Sequence, residues 1–232
     1  MRPRVALLVA SENVDDANRN FRRELPAVVS EFDVVAGEFP ASYGTYDAVV
    51  VSGSPYAVYD DRPWIPKLEA WARGAVDRQI PTLGVCFGHQ LLARALGGDV
   101  EPMDRYEVGF HEIHRTGESR LLDGLDEWFT AFTAHRDEVT RLPDGAVRLA
   151  ENNFTDVHAF RDGPAFGVQF HPEFDLHTAK RVLEMRDVRE DRIEEVLGHL
   201  HKDRYREASR VKRVFRNFLD RVEASHPHGR RV

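Results

Sequence analysis

The fold of this chain is decided by one stretch, Ile80-Pro81-Thr82-Leu83-Gly84-Val85-Cys86-Phe87-Gly88-His89-Gln90-Leu91-Leu92. Its first half is apolar and predicts a buried strand, whereas the residues after Gly88 predict a helix. Cys86, the only cysteine of the chain, lies at the turn between the two. Because Gly84 and Gly88 let neighbouring backbone approach closely, the pattern predicts a sharp elbow that presents the thiol at the carboxyl end of a strand.

A second apolar run, Ala165-Phe166-Gly167-Val168-Gln169-Phe170, ends in His171-Pro172-Glu173. Two strands that end at the same edge of a sheet can bring distant side chains within hydrogen-bond reach, as a Cys-His pair requires. Glu173 is then placed to meet the far imidazole nitrogen and to fix its tautomer. The two runs together predict a catalytic triad of Cys86, His171 and Glu173.

The elbow also supplies what a nucleophilic thiol needs. A thiol attacks a carbonyl as thiolate, and the free N–H groups and dipole at the start of a helix favour that anion. The N–H of Phe87 is a natural donor to the oxyanion that the attack creates. A lone cysteine is more often a small buried hydrophobic residue, but a purely structural strand has no need of the Gly-x-Cys-x-Gly pattern.

These motifs resemble the class I, or triad, glutamine amidotransferases over roughly residues 4–175. The segment Val51-Ser52-Gly53-Ser54-Pro55-Tyr56-Ala57-Val58 is similar to the family's oxyanion loop, with Ser54 where a glycine is more usual. The resemblance implies that the N–H groups of Ser54 and Phe87 hold the oxyanion. It also implies that Gly53, Gln90 and His135 contact the substrate, with the segments around Glu107 and His135 closing the glutamine site.

The resemblance implies a reaction as well. Cys86 would attack the side-chain amide of glutamine, form a γ-glutamyl thioester and release ammonia, which a partner synthetase would use in a GMP-synthase-like reaction. The chain has no Gly-rich phosphate loop, so the acceptor chemistry would take place on another polypeptide. Two alternatives remain open: a stand-alone hydrolase of γ-glutamyl amides or peptides, and a non-enzymatic regulatory module.

No cofactor and no metal is expected. The run His111-Glu112-Ile113-His114 lacks the i, i+4 spacing that places two histidine ligands on one helical face. We also expect a cytoplasmic protein, because one cysteine excludes intrachain disulfides and no apolar stretch approaches the ~20 residues of a membrane helix. The partners expected are glutamine and possibly a separate synthetase polypeptide, with neither nucleic acid nor membrane; the oligomeric state is left open.

The rest of the chain predicts an α/β fold with an open, mostly parallel sheet flanked by helices, of flavodoxin-like type. Apolar runs alternate with amphipathic ones, the sign of a parallel sheet covered on both faces. Strands are predicted at 4–10, 33–36 and 46–52, and helices at about 16–29 and 64–78. Between 99 and 163 the pattern changes to shorter strands and turns, which predicts a small antiparallel excursion.

After Glu173 the sequence reads as helical, and we predict an amidotransferase domain at 1–175 and a helical extension at 176–232 packed on the same domain. Two apolar stripes with helical spacing support this reading; they are Ile193, Val196, Leu197 and Leu200, and Val211, Val214, Phe215, Phe218, Leu219 and Val222. Residues 202–232 carry a net charge of +6 and residues 1–201 one of −13. For this basic C-terminal segment, a solvated helix face is favoured over docking to a partner. Binding to nucleic acid or to a membrane is the least favoured interpretation, because the acidic body of the chain repels polyanions.

Overall fold

A computed structural model describes residues 2–12, 14–185 and 202–225. The described strands form one nine-stranded sheet in the order β2-β1-β3-β4-β9-β8-β7-β5-β6. Its strands are β1 (Arg4–Val9), β2 (Val28–Asp33), β3 (Ala48–Val51), β4 (Thr82–Val85), β5 (Asp99–Arg115), β6 (Trp128–Arg141), β7 (Val147–Glu151), β8 (Ala159–Asp162) and β9 (Ala165–Val168).

Five strands, β2, β1, β3, β4 and β9, pair in parallel. Their order along the chain is 2-1-3-4-5, which is the flavodoxin-like order, so the predicted fold class is confirmed. In β4 and β9, Gly84 pairs with Gly167 and Val85 with Val168. The two strands therefore end side by side, and the residues that follow them start from the same edge of the sheet.

The antiparallel half is longer than the sequence predicted. β5 has 17 residues and β6 has 14, and they pair along most of their length, with register shifts after Asp99 and after Pro102. The expectation of short strands here was wrong, because turn-forming residues such as Pro102 and Gly109 are accommodated inside β5 rather than ending it. This long hairpin brings Ala134 and His135 beside the elbow.

The described α-helices are α1 (Val14–Glu24), α2 (Trp64–Asp77), α3 (Phe87–Ala95), α4 (Leu176–Met185), α5 (Lys202–Ala208) and α6 (Arg213–Ser225). The prediction for α2 is confirmed. The first predicted helix was too long: it ends at Glu24, Pro26 follows, and Val28 already belongs to β2. The strand predicted at 33–36 therefore lies earlier in the chain, and Val34 to Gly37 form a turn.

Helices cover both faces of the sheet. On one face, α6 and the 3₁₀ turn before it (Ser209–Lys212) bury one apolar stripe in the core beside β1 and α1. The stripe consists of Val211, Val214, Phe215, Phe218, Leu219 and Val222. Burying each large apolar side chain contributes about 1.5–3 kcal/mol. On the other face, α2 and α3 pack against β3 and β4. The stripe from Ile193 to Leu200 lies outside the described residues, and among the described ones no helix is long and apolar enough to cross a membrane.

Candidate active site

The predicted elbow is present between β4 and α3. Cys86 has φ 52° and ψ −106°, a conformation that costs a non-glycine residue about 1–3 kcal/mol. A Cβ at Gly84 would lie 2.2 Å from the carbonyl oxygen of Gly88, and one at Gly88 would lie 2.3 Å from that of Val51. Only glycine fits at either position. The surrounding backbone therefore holds Cys86 in a strained geometry, as is common at functional sites.

His171 follows β9 and lies next to Cys86. Its backbone N–H donates to the carbonyl oxygen of Phe132, and its Nδ1 lies 2.8 Å from Oε1 of Glu173. Cys86 and His171 border the same cavity. A Cβ at Gly53 would lie 3.2 Å from Cε1 of His171 and 3.7 Å from Cβ of Cys86, so all three residues meet at one point. The structure thus brings together the sulfur, the imidazole and the carboxylate.

The electrostatics of His171 favour a charged ring. Burial disfavours the imidazolium and by itself lowers the pKa of His171, but the negative charges and hydrogen bonds of Glu173 and Cys86 outweigh burial and raise the pKa to about 10. The imidazolium in turn stabilises negative charge on the sulfur beside it. At neutral pH the ring therefore already carries a proton that it can donate.

We expect His171 to lose that proton only near pH 10, rather than near its ordinary pKa of about 6.5. Because the folded-state pKa is raised, the charged ring adds stability that is complete below about pH 6.5 and is lost as the pH rises through about 10. Histidine NMR between pH 5 and 11 checks this, with the His171 signal assigned by its disappearance in His171→Asn. A midpoint near pH 6.5 would contradict the ion-pair description.

The sulfur is buried but not sealed. Cys86 is 6% exposed and borders a cavity of about 380 Å³ between the sheet edge, α1 and α4. A much smaller pocket opens on its other side, toward Gln90 and His135. Ser54 borders both spaces, so a carbonyl group that reaches Cys86 also reaches the loop after β3.

The two proposed oxyanion donors, Ser54 and Phe87, both border the smaller pocket beside Cys86. Phe87 is the first residue of α3, so its N–H has no partner within the helix. Ser54 keeps its own side chain occupied, because its Oγ accepts from the N–H of Tyr56 at 3.2 Å. What Ser54 can offer to a substrate is its backbone N–H, which a glycine at this position would offer equally.

Two of the proposed substrate contacts are already engaged within the protein. Gln90 Nε2 donates to the carbonyl oxygen of Asp137 at 2.7 Å and to Oε1 of Gln169 at 3.0 Å. His135 Nδ1 donates to the same Asp137 carbonyl at 3.0 Å, and its Nε2 faces Glu107. Gln90 and His135 thus hold the wall of the smaller pocket, and any contact of theirs with substrate remains a proposal.

Other residues that shape the site were missed from the sequence. Phe174 stacks on the ring of His171 with centroids 4.0 Å apart. Arg23 donates to the backbone oxygen of Glu173 at 2.6 Å and to Asp175 at 2.8 Å, which fixes the turn that carries the carboxylate. The position of Phe174 directly after the His-Pro-Glu run was a usable signal. Arg23 lies 150 residues from Glu173 in the sequence, and nothing in the sequence signals their contact.

The family model for class-I glutamine amidotransferases matches residues 9–189. Among curated proteins, one subunit of a GMP synthase [glutamine-hydrolyzing] from Sulfolobus acidocaldarius is 37% identical over 139 residues, which is 59% of this chain and 72% of that protein. The corresponding subunit from Ignicoccus hospitalis is 38% identical over 143 residues, 61% of this chain and 73% of the relative.

The same region is similar to part of a longer protein. A GMP synthase [glutamine-hydrolyzing] from Crocosphaera subtropica is 40% identical over 127 residues, which is 54% of this chain but only 22% of that protein. Among solved structures, a glutamine amidotransferase from Thermotoga maritima superposes with a TM-score of 0.80 at 24% identity and covers 96% of this chain and 98% of its own. At that identity the match supports the fold alone.

Proposed function

Because this chain belongs to the class-I glutamine amidotransferase family, we propose that it hydrolyses the side-chain amide of glutamine and passes the ammonia to a separate synthetase, as a GMP synthase would require. The observation that carries the proposal is the meeting of Cys86, His171 and Glu173 at one edge of the sheet. The relatives favour this activity over a stand-alone hydrolase or a regulatory module.

In the first half-reaction, the Cys86 sulfur attacks the amide carbon and forms the C–S bond. The negative charge moves to the carbonyl oxygen, where the N–H groups of Phe87 and Ser54 stabilise it. His171 then gives its proton to the amide nitrogen, and the C–N bond breaks to release ammonia and leave a γ-glutamyl thioester. A ring that is protonated before the reaction begins suits this step.

In the second half-reaction, water attacks the thioester carbonyl. His171, now neutral, accepts the proton of the water, and the C–S bond breaks to give glutamate and the Cys86 thiolate. Glu173 holds Nδ1 throughout and stabilises the imidazolium each time it forms. Gly53, Gln90 and His135 are the proposed substrate contacts, because they border the two spaces that open at the sulfur.

The partner in this proposal is a synthetase polypeptide that activates the acceptor of ammonia in the cytoplasm. The Sulfolobus and Ignicoccus relatives are each named as one subunit of a GMP synthase, which supports a division of the reaction between two polypeptides. The longer Crocosphaera protein matches this chain over only 22% of its length. The proposal includes no nucleic acid and no membrane, and it gives the chain a single chemical task, the production of ammonia.

The test is glutaminase activity with and without the partner. Purified alone, the protein should release glutamate slowly, and adding the GMP synthetase polypeptide of the same organism with its nucleotide substrates should raise the rate at least about tenfold, as closure completes the site. A rate that the partner leaves unchanged, together with faster turnover of γ-glutamyl amides larger than glutamine, would instead support a stand-alone hydrolase.

A further inference from the structure

One buried cluster of titratable side chains lies outside the proposed triad. Glu107 on β5, His135 on β6 and His158 just before β8 are 1%, 3% and 0% exposed. Glu107 Oε2 lies 2.9 Å from His135 Nε2 and 3.3 Å from His158 Nε2. One potential ligand atom from each of the three residues falls within 4.8 Å of the other two. Three separate segments of the chain therefore converge on one point.

The tautomer of His135 is fixed by its surroundings. Its Nδ1 lies 3.0 Å from the backbone oxygen of Asp137, which can only accept, so Nδ1 carries the proton. In a neutral ring, Nε2 then presents a lone pair to a carboxylate oxygen at 2.9 Å. Two lone pairs this close need a cation between them. A ring nitrogen held by a backbone carbonyl while the other faces an anionic ligand is the usual arrangement of a metal-binding histidine.

The Nε2 atom of His158 is the second imidazole nitrogen that faces Oε2 of Glu107. Among the described residues, neither of its ring nitrogens has a partner with hydrogen-bond geometry, and the residue is wholly buried. A neutral imidazole with a free ring nitrogen is the form that binds metal. A buried polar side chain without a partner is costly unless something else satisfies it.

Glu107 supplies the negative charge. Its Oε2 faces both imidazoles, His135 at 2.9 Å and His158 at 3.3 Å. Its other oxygen, Oε1, accepts from Asn152 Nδ2 at 2.7 Å, which fixes the orientation of the carboxylate. An oriented carboxylate with two imidazole nitrogens is a donor set that suits zinc.

We propose that Glu107, His135 and His158 form a structural binding site for a divalent transition-metal ion, with zinc as the best fit. Zn²⁺ takes nitrogen and carboxylate oxygen at about 2.0–2.2 Å, so tetrahedral neighbours lie about 3.3–3.5 Å apart. The two separations to Glu107 Oε2 reach those values with shifts of about a few tenths of an ångström. The hydroxyl of Thr155, 3.4 Å from the same oxygen, or a water supplies the fourth ligand.

The ion would tie β5 and β6 to the segment before β8. His135 also borders the smaller pocket beside Cys86, so the site holds one wall of the proposed active centre in place. The ion takes no part in the chemistry, because no atom of Glu107 or His158 borders either space that opens at the sulfur. Its effect is on stability and on the shape of the wall.

The experiment uses the full chain with Cys86→Ala, which removes the thiol as a competing zinc ligand. After treatment with a strong chelator and its removal, Zn²⁺ is titrated in the presence of a competing chromophoric chelator at pH 7. The expected result is one tightly bound equivalent and a melting temperature that rises with free zinc. His158→Gln and Glu107→Gln should weaken binding by at least about 100-fold, whereas His114→Gln, on the same strand as Glu107 but outside the cluster, should not.

A crystal soaked in zinc gives a readout that does not depend on how the variants fold. An anomalous peak between Glu107 Oε2, His135 Nε2 and His158 Nε2 is expected. The proposal is overturned if the Cys86→Ala protein binds less than about a tenth of an equivalent tightly, or if His158→Gln binds zinc as well as its parent does. It is also overturned if the soaked crystal shows no peak there, in which case a proton on His135 satisfies the cluster. None of these readouts depends on glutamine hydrolysis.

Discussion

Replacing Cys86 by alanine is expected to lower the rate of glutamine hydrolysis by at least about 10⁴-fold, because no other group can form the thioester. Cys86, the only cysteine of the chain, borders both spaces, and His171 borders the larger one beside it. The loss should appear in kcat, since the sulfur acts on the reacting carbon. Glutamate release, measured by a coupled dehydrogenase assay, gives the rate.

The fold of the Cys86→Ala protein should remain intact. Alanine at φ 52° is strained to about the same degree as cysteine, so its melting temperature should stay within a few degrees of the parent value. The partner synthetase supplied with free ammonium should work equally well beside either protein. If the variant kept more than about a hundredth of the parent glutaminase activity, another nucleophile would have to be sought.

Replacing Glu173 by glutamine has the second largest expected effect, a loss of about 10²–10⁴-fold in kcat with little change in KM. The carboxylate lies 2.8 Å from Nδ1 of His171 and helps to keep that ring protonated. A neutral amide keeps the size of the side chain but removes its charge, and it can present an N–H where an acceptor is needed. The ring would then carry its proton at the wrong nitrogen and lose it at lower pH.

A matched control lies two residues away. Asp175 belongs to the same turn and accepts from the N–H of Thr178 at 2.7 Å, a cap that asparagine preserves. Asparagine also keeps an oxygen that can accept from Arg23, so Asp175→Asn weakens only a partly exposed ion pair and should change kcat by no more than about threefold. Equal losses in Glu173→Gln and Asp175→Asn would mean that the turn as a whole is sensitive, and that the carboxylate of Glu173 has no specific role.

Much of this site could be predicted because its chemistry is encoded locally. Gly84 and Gly88 flank Cys86 in sequence, and the structure places a backbone oxygen 2.2 Å from a Cβ built at the first and 2.3 Å from one built at the second. The meeting of Cys86 with His171 needed only the rule that parallel strands end at the same edge, and the pairing of Val85 with Val168 provides it. The glycines that a tight elbow requires and the alternation of strands with helices can both be recognised in a sequence.

The features that were missed depend on long-range packing. The first helix was extended too far because residues 25–29 carry an apolar pattern that suits a helix as well as a strand, and pairing with β1 decides for the strand. A metal site can be predicted from sequence only through local spacing, such as that within His111 to His114. The cluster of Glu107, His135 and His158 instead draws on three segments that come together only when β5, β6 and β8 join the sheet.

The most direct test of the proposed triad is intact-mass analysis after reaction with a glutamine-derived electrophile, such as a chloroketone analogue of the amino acid. We predict one covalent adduct per chain at Cys86, competed by glutamine, and none in the Cys86→Ala protein. An unlabelled parent protein, or an adduct that persists when Cys86 is absent, would contradict the assignment of this sulfur as the nucleophile.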